Sequence, residues 1–112
     1  MEYLKFSEFL KVDIRVGTVL SATENNSLKK PSIVMEIDFG SQIGIKKSSA
    51  QLKANYNINN LINKQVAAVV NFPPKQIGTI MSEVLVVGFP DNEGEPILII
   101  PDHTIKNGGK LF

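Results

Sequence analysis

The chain has 112 residues, of which 43% are apolar and 21% are charged, and it contains no cysteine. That length suits one domain with a single buried core, and the missing cysteines exclude disulfide scaffolds, thiolate zinc sites and cysteine nucleophiles. A formal net charge of +1 excludes a long-range field that would recruit nucleic acid or an anionic membrane.

Nothing in the sequence predicts insertion into a membrane. Apolar runs such as residues 66–70 are far shorter than the ~20 residues that cross a bilayer. The N-terminal residues lack the order of basic, apolar and small residues that marks a signal peptide. We therefore expect a cytoplasmic protein.

The hydrophobic pattern predicts a series of short strands. Apolar residues alternate over 12–20 and again over 33–39, and a turn at 40–42 leads into a third strand at 43–52. The alternation places Val12, Ile14, Val16 and Leu20 on one face of the first strand. Gly17 predicts a bulge or tight bend there, and the polar residues 22–32 predict a loop.

Asparagines are expected to frame a short helix after the third strand. Asn60 is a candidate N-cap for a helix that carries Leu61 and Ile62. Asn63 suits the left-handed conformation that ends a helix. The strands that follow are predicted at 65–72, at 84–89 and, as an extra hairpin strand, at 97–100.

This order of elements predicts an all-β fold in a single domain over 1–112. Three strands, a short helix and two further strands form the order of a five-stranded Greek-key barrel of the oligonucleotide/oligosaccharide-binding (OB) type. The short helix lies between strands 3 and 4, and the C-terminal hairpin strand is an addition to the barrel.

The sequence lacks a pattern that would support catalysis. The single histidine, His103, cannot anchor a zinc site without cysteine or a second histidine. Ser48 and Ser49 lack a glycine elbow, and no phosphate-binding glycine pattern occurs. We expect no catalytic residue, no metal and no cofactor.

Two features favour binding instead. Lysine pairs and one single lysine come from separate parts of the chain, and in this topology the loops that carry some of them flank one side of the barrel. They form one basic patch or are simply solvated; both interpretations stay open. These lysines are Lys29, Lys30, Lys46, Lys47 and Lys75.

The second feature is an unusually apolar loop over 73–83. Ile77, Ile80 and Met81 either tuck under the barrel or line an adaptable peptide groove. Phe72 and Tyr56 are the aromatic candidates for stacking on a nucleic-acid base, although core packing competes for both.

The last predicted strand has no polar face. Because a strand near the end of a small barrel should have one wet face, a second subunit is the simplest cover. We expect a symmetric homodimer that also uses residues 3–10. The predicted interface consists of Ile97, Leu98, Ile99 and Ile100.

Four segments together carry a family resemblance. They are LKVDIRVGTVLSAT, IDFGSQIGIKKSSAQL, LINKQVAAVVNFPPKQIG and MSEVLVVGFP. They resemble the tRNA-binding-domain family found at the ends of some aminoacyl-tRNA synthetases, and within it the stand-alone CsaA-type branch, described as export-related chaperones. The resemblance implies an OB barrel, a homodimer without catalytic activity, unfolded or precursor polypeptides as ligands, and a link to the secretion ATPase.

One departure separates the chain from the synthetase-appended members. Val84-Leu85 follows Ser82-Glu83 where those members have Gly-Met, as in the chaperone-like branch. Carried over by position, the resemblance implies a ligand-facing set of Lys46, Ser48, Ser49, Gln51, Asn71 to Lys75, Ser82 and Glu83.

Two functions follow. In the first, a chaperone binds polypeptides in a groove built by Phe72, Pro73, Pro74, Ile77, Ile80 and Met81. In the second, Lys29, Lys30, Lys46, Lys47, Lys53 and Lys75 engage the phosphates of tRNA. The chain has a single arginine, Arg15, whereas RNA readers usually use arginines on phosphates and bases, which favours polypeptide binding.

Overall fold

The structure is a computed structural model that describes residues 1–27 and 29–112. The predicted loop at 22–32 therefore lies in part outside the described residues. The elements are α1 (Phe6–Phe9), β1 (Ile14–Asn25), β2 (Ser32–Asp38), β3 (Ile45–Ala50), α2 (Ile58–Leu61), β4 (Gln65–Val69), β5 (Lys75–Ile77), β6 (Ile80–Ser82), β7 (Leu85–Val86), β8 (Gly88–Pro90) and β9 (Pro96–Leu98).

A curled five-stranded sheet forms the body of the protein. Its strands lie in the order β3-β2-β1-β4-β7 with antiparallel neighbours, and α2 lies between β3 and β4 in the chain. This architecture confirms the predicted all-β, OB-like class. The extra hairpin is also confirmed, since β8 pairs with β9 in a sheet of their own. No helix in the described part of the chain is long and apolar enough to cross a bilayer.

The alternating residues of β2, with Phe39 directly after it, form the centre of the core. Ile33, Met35, Ile37 and Phe39 are each at most 1% exposed, as the alternation over 33–39 predicts. Their neighbours face the other side of the sheet, where Glu36 is exposed.

The first strand matches the predicted face only in part. Val16 is buried as predicted, but Val12 is 42% exposed. The register shifts between Val19 and Ser21, and Leu20, which lies at this shift, is 46% exposed while Val19 is fully buried. A bulge does exist, but it lies beyond Gly17. Gly17 is instead a point of close approach, because a Cβ there would lie 2.6 Å from Ile37 Cγ2. The strand also continues to Asn25, into the predicted loop.

The helix after β3 begins earlier than expected. Asn57, not Asn60, is the N-cap, and its Oδ1 accepts the Asn60 N–H at 2.9 Å. Asn60 returns the bond by accepting the Asn57 N–H at 2.9 Å. Asn63 has a φ of 69°, which confirms the left-handed residue predicted there.

The predicted loop over 73–83 and the predicted strand over 84–89 are both divided differently. β5 and β6 form a short hairpin in which Ile77 pairs with Ile80. The strand expected at 84–89 is split into β7, which pairs with β4, and β8, which pairs with β9. The hairpin β5–β6 forms a two-stranded sheet of its own, and β6 packs against β3.

The C-terminal residues complete the edge of β1. β2 pairs with β1 from Thr18 onward, while residues 108–111 cover the edge at 14–16: Val16 N–H donates to Gly109 O at 3.0 Å, and Leu111 N–H donates to Ile14 O at 2.8 Å. Gly108, with a φ of 94°, permits the contact, because a Cβ there would lie 2.5 Å from Phe39 O.

Candidate functional site

Two surface depressions lie next to each other between β3 and the β5–β6 hairpin. The first has a volume of about 420 Å³ and the second of about 370 Å³. Both are lined by Ser49, Ile77 and Leu85, so they adjoin, and we call the two shared aliphatic residues, Ile77 and Leu85, the floor. We call the combined depression the groove.

The first end of the groove is built by the segment that follows β4. Phe72, which is 53% exposed, and Pro73 form its wall, and Lys75 and Glu83 lie at its rim. Pro73 and Pro74 lack backbone N–H groups and cannot continue the β4 ladder. The chain leaves the sheet at this point.

The second end of the groove lies under the C-terminal hairpin. Gln51 extends from the end of β3, and Glu95 and Pro96 come from the turn into β9. Lys30 joins them from the loop after β1. The loop after β1 and the β5–β6 hairpin therefore do flank one side of the barrel.

Ser82 and Glu83 close a seam between β3 and the start of β7. Ser82 Oγ accepts the Ser49 N–H at 3.0 Å. Glu83 bonds to Lys47 through both its backbone and its side chain. Its N–H donates to Lys47 O at 2.7 Å, and its Oε1 accepts the Lys47 N–H at 3.0 Å. Both residues line the groove, but these bonds turn their polar groups toward the barrel.

Two residues of the predicted ligand-facing set have their side chains elsewhere. Ser48 is 1% exposed, because it pairs with the core residue Met35 of β2 and lies on the same face of the sheet. Asn71 Nδ2 donates to Lys11 O at 2.7 Å, and Asn71 Oδ1 accepts the Asp13 N–H at 3.0 Å. Its amide is thus engaged with the residues before β1.

The lysines are more dispersed and more neutralised than a single patch requires. Lys30 lies 3.4 Å from Glu95, Lys46 lies 3.9 Å from Glu83, and Lys53 lies 3.2 Å from Glu24. Lys29 is exposed, and Lys75 lies at the groove rim. The predicted basic surface is therefore interleaved with carboxylates.

Three of the predicted groove residues lie outside the groove. Ile80 lines a separate cavity of about 320 Å³ with Lys47 and Glu36 on the outer face of β1–β3. Met81 is 48% exposed on β6, and Pro74 is exposed.

The predicted dimer strand is not uniformly open. Leu98 is 7% exposed and belongs to the core, whereas Ile97 and Ile100 are 43% and 52% exposed. Ile99 is half-buried, and its N–H donates to Val87 O at 3.1 Å. Packing in the core therefore explains Leu98, while Ile97 and Ile100 remain exposed to solvent.

Leu85 is a groove residue that the sequence pattern missed. It is 51% exposed and lines both halves of the groove. The unbroken apolar run at 84–87 concealed it, because such a run predicts burial on both sides. In the structure its neighbour Val84 is only 4% exposed. The two successive residues therefore lie on opposite faces, Val84 toward the core and Leu85 toward the groove.

Arg15 is used structurally, as its place in a strand suggests. Its Nε donates to Asp13 Oδ1 at 2.6 Å and its Nη1 donates to Gly108 O at 2.9 Å. The hydrogen bond to Asp13 raises the pKa of Arg15, partial burial opposes this, and the Asp13 charge adds to the rise. The described residues contain no cluster of three His, Asp or Glu side chains that could hold a metal ion.

Comparison with known proteins places these observations in a family. Residues 14–110 match the family described as a putative tRNA binding domain. The structure of the chaperone CsaA from Bacillus anthracis str. Ames has a TM-score of 0.92 and 43% identity, and the match covers 99% of this chain and 100% of that one. The CsaA chaperone protein from Picrophilus torridus has a TM-score of 0.89 and 43% identity, covering 98% and 100%.

A longer relative is the methionine–tRNA ligase of Pyrococcus horikoshii. It is 33% identical over 111 residues, which are 99% of this chain but 15% of the ligase. The chain thus spans a small part of that enzyme. On the match over 14–110 and the two close structural neighbours, the chain belongs to the putative tRNA-binding-domain family and is of the CsaA type.

Proposed function

We propose that this protein is a non-catalytic, CsaA-like chaperone that binds unfolded or precursor polypeptides in the groove during protein export. The observation that carries the proposal is the groove itself, whose shared floor is formed by two aliphatic residues, Ile77 and Leu85. An apolar floor with a few polar groups at the rim is typical of sites that take side chains from water.

The charges at the groove support a polypeptide more than a polyanion. Lys30 lines the groove and lies within 4 Å of Glu95, and Lys46 lies within 4 Å of the groove residue Glu83, so a phosphate would have to compete with these carboxylates. A mixed-charge rim instead accommodates acidic or basic residues that flank an apolar segment. Binding that depends on the apolar floor should change little with salt, because screening acts on charges.

A homodimer is part of the proposal. The C-terminal hairpin exposes Phe89, Ile97 and Ile100, and the N-terminal segment exposes Tyr3 and Phe6. A second copy that covers these residues would remove a large apolar surface from water. Two grooves on one dimer would also gain avidity for a single extended chain. The secretion ATPase is the further partner that the CsaA resemblance implies.

The test is a titration of a fluorescein-labelled unfolded precursor peptide against the full chain at low and high salt. Leu85→Asp places a charge on the groove floor and should weaken binding about tenfold, because an apolar contact becomes a buried carboxylate. Leu20→Asp is the matched control, since Leu20 is 46% exposed and lies outside the groove; it should bind like the unaltered chain. Equal affinity for both variants would overturn the proposal.

The alternative is tRNA binding, which the family description favours. Under this alternative, Lys46→Glu combined with Lys47→Glu would abolish tRNA binding and leave peptide binding untouched. The same charge change at Lys106 and Lys110, which are exposed, is the control. The logarithm of tRNA affinity should fall with the logarithm of salt by about 0.7 to 0.9 per neutralised phosphate.

Salt therefore separates the two functions. Peptide binding that survives high salt, with no tRNA binding at physiological salt, would exclude RNA as the main ligand. Tight, steeply salt-dependent tRNA binding with no measurable peptide binding would reverse the preference.

A further inference from the structure

The wall at the first end of the groove has little support from the sheet. The last ladder contacts of β4 are the pairs of Val69 with Ile14 and with Leu85. Residues 70–74 then run outside any strand and carry Phe72 and Pro73, which line the groove. Two of these five residues are prolines and have no N–H to donate.

The support comes from the residues just before β1. Val70 N–H donates to Asp13 O at 2.8 Å. Asn71 then makes two bonds in opposite directions: its Nδ2 donates to Lys11 O at 2.7 Å, and its Oδ1 accepts the Asp13 N–H at 3.0 Å. Lys11 and Asp13 lie 60 and 58 residues away in the chain, at the link between α1 and β1.

The partner segment is itself anchored. Asp13 forms an ion pair with Arg15 at 2.6 Å, and Arg15 donates to Gly108 O at 2.9 Å. Asn71 thus connects the groove wall to Asp13, and Arg15 connects Asp13 to the C-terminal residue Gly108. A side-chain amide that meets one N–H and one C=O in this way fixes the position of both backbones.

We infer that Asn71 is the positioning residue that holds the groove wall for its ligand, and that it acts without contacting the ligand. This inference rests on the proposed function, because it assumes that the groove binds polypeptide. Ligand contact with Phe72 and Pro73 would hold the wall in place. By reciprocity, it would also stabilise the bond between Asn71 and the Asp13 N–H.

The first measurement needs no variant. Hydrogen exchange of the Asp13 amide, followed by NMR in the full chain, should slow severalfold when the precursor peptide saturates the groove. Asp13 is not among the residues that line the groove, so simple occlusion would not produce the change. An exchange rate that peptide leaves unaltered would overturn the inference.

The second measurement compares two asparagines. Asn71→Ala should weaken peptide binding about tenfold, because two hydrogen bonds that fix the wall are lost, and should speed exchange of the Asp13 amide. Asn107→Ala is the control: Asn107 Oδ1 accepts from Thr18 Oγ1 at 2.7 Å and from Gln65 Nε2 at 3.1 Å, outside the groove. It should leave peptide affinity unchanged.

The outcomes distinguish the inference from the proposed function. If Leu85→Asp weakens peptide binding and Asn71→Ala does not, only the inference fails. If Asn71→Ala weakens binding while Asp13 exchange stays as in the unaltered chain, Asn71 contacts the ligand directly and the inference also fails. If neither Leu85→Asp nor Asn71→Ala changes peptide binding, both the inference and the proposed function fail.

Discussion

The hydroxyl of Ser82 accepts the backbone N–H of Ser49 at 3.0 Å, across the seam where β3 approaches β7. A side chain here replaces the backbone carbonyl that a neighbouring strand would supply. Glu83 does the same for Lys47, whose N–H donates to its carboxylate at 3.0 Å. These two side-chain bonds, with the backbone bond from Glu83 N–H to Lys47 O, join β3 to the segment before β7, and Ser49, Ser82 and Glu83 also line the groove.

Ser82→Ala should destabilise the fold. Ser82 is 8% exposed, so the Ser49 N–H would lose its partner with little access to water. We expect a loss of about 1–2 kcal/mol in the free energy of unfolding, measured by urea denaturation. Ser41→Ala, on an exposed turn, should change stability by less than about 0.5 kcal/mol. Equal effects of the two variants would contradict the closing role.

Gly17→Ala should be poorly tolerated. The added methyl group would lie 2.6 Å from Ile37 Cγ2 and 2.7 Å from Phe39 Cδ1, both in the packed core. We expect a loss of about 1–3 kcal/mol from overpacking, seen as a lower midpoint in thermal denaturation. Gly109→Ala is the matched control, because its methyl group would meet nothing nearer than 3.5 Å.

Asp91 should make the free energy of unfolding depend on pH. Its pKa is lowered, first by the hydrogen bond from Asn55, then by the Glu95 and Glu93 N–H groups, with burial opposing. A carboxylate with a depressed folded pKa stabilises the fold above the unfolded value of about 3.9 and loses this contribution as pH falls through the lower folded value.

The check is the melting temperature of Asn55→Ala and of the unaltered chain between pH 6 and pH 2. Because Asn55 Nδ2 donates to Asp91 Oδ2 at 2.9 Å, the variant lacks the main cause of the lowered pKa. The difference between the two proteins should shrink as the pH falls below about 4. A difference that stays constant over this range would show that Asp91 does not supply the effect.

The proposed homodimer should depend on the open residues of the C-terminal hairpin. We expect sedimentation at micromolar concentration to give twice the 12.3 kDa of one chain. Ile97→Asp combined with Ile100→Asp should return the mass to that of one chain, because charge is costly in a closed apolar interface. Ile62→Asp, at a residue 38% exposed beside α2, should leave the mass unchanged. A single-chain mass for the unaltered protein would rule out the dimer.

Periodicity predicted the strands that bury one full face. The predicted strand at 33–39 is the best example, since Ile33, Met35, Ile37 and Phe39 all lie in the core. Periodicity was only partly right for β1: Val16 is buried as predicted, but Leu20 lies at the register shift between Val19 and Ser21 and is 46% exposed. A bulge of this kind depends on the partner strand, and one strand's pattern does not contain it.

The candidate site was predictable in outline only. The double proline and the apolar residues 72 and 77 indicated a groove, and the structure places both residues in its lining. Ile77 and Ile80 pair across the β5–β6 hairpin but line different cavities, and the sequence did not predict this because it did not predict the hairpin. The neutralisation of Lys46 by Glu83 likewise depends on the seam, which joins residues far apart in the chain.

The C-terminal residues that cover the edge of β1 set an order for folding during synthesis. Val16, near the start of the chain, bonds to Gly108 and Gly109, which the ribosome adds more than 90 residues later. Until these residues leave the exit tunnel, the edge of β1 at 14–16 stays unpaired and open to other nascent strands. A protein proposed to protect unfolded chains would then itself pass through a stage in which it needs protection.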